Sequence, residues 1–260
     1  MLERLERAWR VLATGLSFAF FGLGGLVLRL VWFPLLSKCF WLSRQEESRL
    51  SRLTVHHTFR WFIGFMRAMG VLSFDIRGQE RLNRDGLLIL ANHPTLIDVV
   101  FLISLLPNAD CIVKGSLARN PFTRGPVRAA DYICNDSGAA MLEDCRHSLL
   151  QGGNLIVFPE GTRTRPDAPA LLQRGAANIA IRCQQDITPV YIRCQPQTLT
   201  KGLPWWKVPQ RRAHFELRVG EDISIQPFLQ AGTSEALAAR QLTQFLTDYF
   251  FPGEPRHAIA

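Results

Sequence analysis

Hydrophobic and polar positions fall into three stretches of different periodicity. From Val11 to Leu28 no residue is charged, 18 consecutive positions, and beyond Arg29 the apolar run resumes to Leu36. About 20 residues cross the hydrocarbon core of a bilayer, so this run predicts a membrane-associated helix of marginal spanning length. It either crosses or dips in and returns to the same face. Upstream, Glu3 and Glu6 stand four residues before Arg7 and Arg10, an order that supports an exposed helical lead-in. Over 45–70, Trp61, Phe62, Phe65, Met66 and Met69 recur at helical spacing and predict a second helix. Its stripe faces either a packing partner or the membrane.

From Ser73 onward short apolar runs alternate with amphipathic ones. Strands are expected at 74–77, 87–91, 109–114, 130–134, 154–158, 188–192, 214–219 and 223–225, and helices at 95–106, 138–150, 174–182 and 233–250. The intervening 116–128, rich in Pro, Gly and Arg, reads as a loop. Such alternation predicts an α/β fold: a mainly parallel mixed sheet flanked by helices, with the N-terminal membrane-associated helices in front. The change of pattern divides the chain into membrane-anchoring helices over 1–70 and an α/β domain over 71–260.

The stretch 87–100, LLILANHPTLIDVV, reads as strand, turn and helix. Proline biases the residue before it towards an extended backbone and itself fits the first helical position, so a helix is expected from Pro94 with His93 just outside. On one regular helix five residues turn through ~500°, which would leave His93 and Asp98 roughly 140° apart. With His93 off the helix end, the ring can fold back onto the Asp98 carboxylate. A histidine held this way is a general base, one nitrogen fixed as donor and the other free to take a proton. The alternative is a capping histidine and a solvated first-turn acid favoured by the helix dipole. No serine or cysteine stands beside His93 as a nucleophile.

A second constellation, FPEGTR at 158–163, ends another strand, where open α/β sheets place their ligand sites. Gly161 allows a close turn, Thr162 offers a hydroxyl, Arg163 a planar cation suited to phosphate or carboxylate, and Glu160 an acceptor for a substrate hydroxyl. Arg165 and Arg174 add positive charge. A tight turn closed by an internal Glu–Arg pair is the structural alternative.

Composition narrows the classes. A net charge of +8 and a pI near 9.6 imply an anionic partner, which could be nucleic acid, a phospholipid surface or an acidic small substrate. The cations form no nucleic-acid-reading motif, and a membrane-like opening helix argues against nucleic acid. Six cysteines without a close pair suggest neither a zinc site nor a disulfide framework, so no metal is expected and the catalytic domain is placed in the cytosol. No G-x-S-x-G turn supports a hydrolase. The segment 201–212, KGLPWWKVPQRR, mixes two tryptophans with four cations, as suits a bilayer surface or a loop with its indoles packed inward.

Taken together, NHPTLID at 92–98 and FPEGTR at 158–163 resemble the two main motifs of the glycerolipid (lysophospholipid) acyltransferase family, N-H-x-x-x-x-D and F-P-E-G-T-R, in the family's order. LQRGAANIA (172–180) and ITPVYI (187–192) are similar to two further family segments, and the resemblance covers about 74–219. It implies that His93 is the general base and Asp98 its orienting acid. The acceptor hydroxyl then attacks the thioester of an acyl carrier protein or acyl coenzyme A directly, this acyl donor being a co-substrate, with no other cofactor. It implies that Glu160, Gly161, Thr162 and Arg163, with Asn92 beside them, hold a lysolipid acceptor of the lysophosphatidate type. It also implies a membrane phospholipid surface as partner, and an inner-membrane location with the catalytic domain on the cytoplasmic face. The sequence departs from the family at Asn135 and Asp136, where an arginine for the acceptor phosphate is expected. Either Arg119, Arg124 or Arg128 replaces it, or the acceptor is a non-phosphate lipid such as a lysoaminolipid. A non-catalytic lipid-binding protein would keep the anchor without needing both His93 and Asp98.

Overall fold

The computed structural model describes residues 2–38, 41–120, 123–135, 140–165, 171–230 and 232–252. Asp136 and the expected helix start at Gly138 lie outside them. The N-terminal apolar run forms one helical rod: α1 (Leu2–Val27) continues through a π-helical stretch (Leu28–Trp32) into α2 (Phe33–Ser37). The wider turn precedes Pro34, whose ring would crowd the carbonyl four residues back in a regular helix. The next helix, α3 (Arg44–Ala68), opens with a capping box in which Ser43 accepts the Glu46 N–H and the Glu46 carboxylate accepts the Ser43 N–H. Phe20 packs on Trp61 and Phe65, and Phe21 on Phe59 and Phe62, so the aromatic stripe of α3 receives α1.

Among the described residues seven strands follow: β1 (Leu72–Arg77), β2 (Leu88–Ala91), β3 (Ala109–Val113), β4 (Ile133–Cys134), β5 (Asn154–Val157), β6 (Ile187–Gln195) and β7 (Ala213–Val219). Their order in the sheet is β1-β7-β6-β2-β5-β3-β4. Every neighbouring pair is parallel except β6–β7. The helices between them are α4 (Asp98–Leu105), α5 (Gly115–Arg119), α6 (Arg124–Ala129), α7 (Ala140–Leu150), α8 (Arg174–Cys183) and α9 (Glu235–Phe250). Side chains alternate across the central strands. Ile89 and Ala91 of β2 join a core with α3 and α4, whereas Leu88 and Leu90 join another with α7, α8 and α9. Burial on both faces is why these strands read as unbroken apolar runs.

Four expectations are corrected. The span 116–128 is not loop throughout but contains α5 and most of α6. A strand from Ala130 shrinks to Ile133–Cys134, because the N–H groups of Ala130 and Tyr132 bond back to Pro126 and Val127 and close α6. Residues 223–225 make only an isolated bridge, Ile187 with Ile223. The helix expected from Pro94 begins at Asp98: the Thr95 N–H goes to the Asp98 carboxylate and the Leu96 N–H to the Leu199 carbonyl, so tertiary partners take the donors a helix start would leave open.

Candidate active site

Strands β2 and β5 are parallel neighbours with Leu90 opposite Val157, so the loops that follow them leave the same edge of the sheet side by side. Strand β2 stays paired with β6 as far as Ala91. There Asn92 takes over: its Nδ2 donates to the Ile192 carbonyl at 2.8 Å and its Oδ1 accepts the Ile192 N–H at 2.7 Å. The side chain thus extends the ladder one step while its own backbone turns away. Both ends of this buried amide are engaged by the Ile192 backbone, which gives Asn92 the geometry of a residue that positions the loop, where the sequence suggested a substrate contact.

His93 is held on four sides. Its N–H donates to Glu160 Oε1 at 2.8 Å, and its carbonyl accepts the Thr164 N–H at 2.7 Å. The imidazole stacks on Phe158 with ring centroids 4.2 Å apart, and Nδ1 lies 2.9 Å from Asp98 Oδ2. Asp98 is fully buried in the first turn of α4, where its carboxylate also accepts the Thr95 N–H at 2.6 Å and the Thr95 hydroxyl. Burial pushes the Asp98 carboxyl up, and the bonds from His93 and Thr95 oppose that shift. With donors converging on the acid, Nδ1–H donates and Nε2 is the lone-pair nitrogen. Nε2 has no hydrogen-bond partner among the described residues, and the His93 side chain is 17% exposed.

The second motif builds the other wall. Glu160 is buried, and its Oε1 also accepts the Thr164 hydroxyl at 2.9 Å. Burial raises the Glu160 carboxyl, against the bonds from Thr164 and His93. Gly161 turns the chain at φ +65°, where a side chain is strained. Thr162 is half-buried on that turn. Arg163 Nη1 donates to the carbonyls of Leu199 at 3.1 Å and Thr200 at 3.4 Å. The internal Glu–Arg pair considered from sequence does not form, since each residue bonds elsewhere.

Arg119 closes α5, and Arg124 and Arg128 lie on α6; all three are exposed, on helices that follow β3 at this same edge of the sheet. None is among the groups bonded to His93, Asp98 or Glu160. Two site residues escaped the sequence reading, Thr95 and Thr164. The three-residue spacing from Thr95 to Asp98 was the available signal for the first; nothing local marked the second. Cys194 carries no thiolate, because burial pushes its thiol up to about 12. Among the described residues no cluster of three His, Cys, Asp or Glu side chains is placed to hold a metal ion. A cavity of about 950 Å³ lined by Arg49, Arg52, Asp110 and Ser148, among others, includes none of these site residues.

A histidine bonded to a buried acid, at the carboxyl edge of a mainly parallel sheet and next to an arginine-bearing turn, is an arrangement that can accept a proton from a hydroxyl. Residues 73–193, from β1 into β6, match the family model described as Acyltransferase. The chain is similar to a 1-acyl-sn-glycerol-3-phosphate acyltransferase of Helicobacter pylori, 31% identical over 112 residues that cover 40% of this chain and 47% of that one. A protein of the same name from Pseudomonas aeruginosa is 22% identical over 148 residues, covering 54% and 56%. The chain thus matches about half the length of these curated relatives. The crystal structure of the 1-acyl-sn-glycerophosphate (LPA) acyltransferase PlsC from Thermotoga maritima shares the fold. Its TM-score is 0.67 at 19% identity, over 96% of this chain and 100% of that one.

Proposed function

We propose that the protein is a membrane-bound O-acyltransferase that moves a fatty acyl group from acyl carrier protein or acyl coenzyme A to the hydroxyl of a lysolipid, lysophosphatidate being the favoured acceptor. The observation that carries this reading is the 2.9 Å bond from His93 Nδ1 to the buried Asp98, which leaves Nε2 open beside the 158–164 turn. Nε2 takes the proton of the acceptor hydroxyl as its oxygen attacks the thioester carbonyl carbon. The tetrahedral adduct then expels the thiolate by C–S cleavage, and the proton on Nε2 passes to that sulfur. No acyl-enzyme is required, in keeping with a site whose neighbouring thiol, Cys194, is held protonated.

Arg163 supports an anionic acceptor. One amino group is spent on the two backbone carbonyls, and its Nη2 and Nε donors have no protein partner among the described residues, a fork suited to a phosphate. A non-phosphate acceptor such as a lysoaminolipid is the second reading. It is favoured by one observation: Asn135, exposed just after β4, stands where the resemblance to the family's second motif leads one to expect an arginine.

Membrane attachment rests on the N-terminal rod. Leu5, Trp9, Leu12, Leu16, Leu23, Val27 and Leu30 form an exposed apolar stripe along it, while Arg10, Ala13, Thr14 and Ser17 are buried against the protein. The polar face is therefore the inner one, the reverse of a soluble surface helix. The apolar rod of 34 residues is roughly 50 Å long, against ~30 Å for a hydrocarbon core, and one side of it is occupied by α3. It lies along the cytoplasmic leaflet of the inner membrane with its stripe immersed.

The deciding experiment incubates the purified full chain with acyl carrier protein and coenzyme A thioesters and a panel of lysolipids with phosphate and amine-bearing head groups. Acylation of lysophosphatidate with release of one thiol per product is expected. Acylation of an aminolipid alone would select the second reading, and binding without thioester consumption would end the enzymatic one.

A further inference from the structure

We infer that the segment from Leu199 to Arg212 is a second membrane-contacting element, whose partner is an anionic lipid surface and whose base is fastened to both motif loops. The inference rests on the membrane reading above but concerns a different part of the chain. The segment carries Lys201, Lys207, Arg211 and Arg212 and no acid. Two of its apolar side chains point outward, Leu203 at 46% exposure and Trp206 at 56%, while Leu199 and Val208 anchor its base in the core. An indole among cations at the tip of a loop is the composition of a head-group layer, with the ring at the interface and the charges on lipid phosphates.

The segment is also continuous with the apolar rod. Trp205 meets Phe18 edge-on at 6.2 Å, and a side chain on Gly15 would stand 3.2 Å from the same indole. Arg10 donates to the Gln210 carbonyl. The loop therefore flanks the exposed stripe of α1, and a bilayer that received the stripe would meet the loop beside it.

At the other end, the Leu199 carbonyl accepts the Leu96 N–H at 3.0 Å and Arg163 Nη1 at 3.1 Å. Leu199 holds φ +53°, a conformation rare for leucine, which turns that carbonyl towards both partners. One residue thus ties the His93 loop and the Arg163 turn to a segment whose far side faces lipid. The consequence is that the mouth of the site is set at the height of the head groups, where a lysolipid acceptor presents its hydroxyl.

The test uses the full chain and vesicles of phosphatidylcholine alone or with phosphatidylglycerol, read by sedimentation and by tryptophan quenching with brominated lipids. At roughly fivefold per cation, replacing Lys207, Arg211 and Arg212 together by Gln removes on the order of a hundredfold of the preference for anionic vesicles. Binding to neutral vesicles through the rod stays unchanged. Trp206→Ala removes part of the quenching. Raising the salt to 1 M abolishes the wild-type preference without any substitution, since screening shortens to ~3 Å. An undiminished anionic preference in the triple variant, or a Trp206 signal untouched by brominated lipid, would overturn the inference. Neither readout uses acyl transfer, so a protein without that activity still answers the question.

Discussion

Asp98→Asn is the sharpest perturbation of the proposed base. Asparagine has the same shape, so the first turn of α4 and the surrounding core are not asked to repack. What changes is the number of acceptors. The carboxylate receives His93 Nδ1–H, the Thr95 N–H and the Thr95 hydroxyl, shared over two oxygens. Asparagine has one oxygen and an amino group. If the oxygen stays with the Thr95 hydroxyl, in place of Oδ1, the amino group takes the place of Oδ2 and confronts both the Thr95 N–H and His93 Nδ1, which then has to accept; the ring proton moves to Nε2, the nitrogen that has to be free for the acceptor hydroxyl. Positioned general bases contribute about 10²–10⁴ in rate, or roughly 3–5 kcal/mol at 1.36 kcal/mol per tenfold. The expected loss in kcat/KM is of that size, with KM for the lysolipid little changed because the 160–163 turn is untouched. Thiol release from the acyl donor, followed with a disulfide reagent, measures it, and a thermal melt confirms the fold. A variant that kept more than a tenth of wild-type kcat/KM would show that the Nδ1–carboxylate bond does not set the working tautomer.

Three further outcomes follow from the same network. Asn92→Ala leaves the Ile192 N–H and carbonyl unpaired in a buried position, a loss of about 2–4 kcal/mol, readable as a lower midpoint in urea with an unchanged slope. Glu160→Gln keeps an oxygen for the His93 N–H and the Thr164 hydroxyl but removes a charge whose folded-state pKa burial has raised. A raised carboxyl stabilises the fold below its unfolded pKa and loses that contribution as pH rises through the folded value; the stability of wild type relative to Glu160→Gln therefore falls from pH 4 towards neutrality, and a rising difference would contradict the assignment. Gly161→Ala meets nothing closer than 3.6 Å yet holds φ +65°, so it costs about 1 kcal/mol through backbone strain alone, with Tm as the measure.

The alternation of 87–91 and 154–158 with helices placed both motifs at one sheet edge, and His93 lies off the helix end and folds back onto Asp98 as expected, although the helix starts later than expected. Pro94 does not start the helix. The ring reaches the acid because Thr95 and Leu96 spend their N–H groups on Asp98 and Leu199, and no local pattern reveals a partner a hundred residues away. The same distance hides the role of Asn92, whose signal in sequence is a polar residue after an apolar run, equally suited to a substrate contact. Helices α5 and α6 were missed because glycine, proline and arginine at 116–128 argue for a loop, while Thr123 and Asn120 close short helical turns there. The apolar run of α1 was legible as one long apolar helix; that its polar side faces inward was not, since it depends on Gln210 and Trp205 arriving from the far end of the chain.

Two buried acids converge on one histidine loop, and in the proposed mechanism their placement favours a charge that exists only during turnover. Asp98 and Glu160 each bear the cost of burial, raised further for Glu160 by the nearby Asp98 charge. When Nε2 takes a proton the imidazolium lies against Asp98 and next to Glu160, and the attraction between them relieves part of that cost. The gain belongs to the transition state and not to the bound substrate, which is the condition for it to raise kcat. In the proposed mechanism Glu160 acts through its field and through the His93 backbone N–H that it accepts. Its amide replacement should therefore lower kcat while sparing the geometry, a smaller and purely electrostatic version of the loss expected at Asp98.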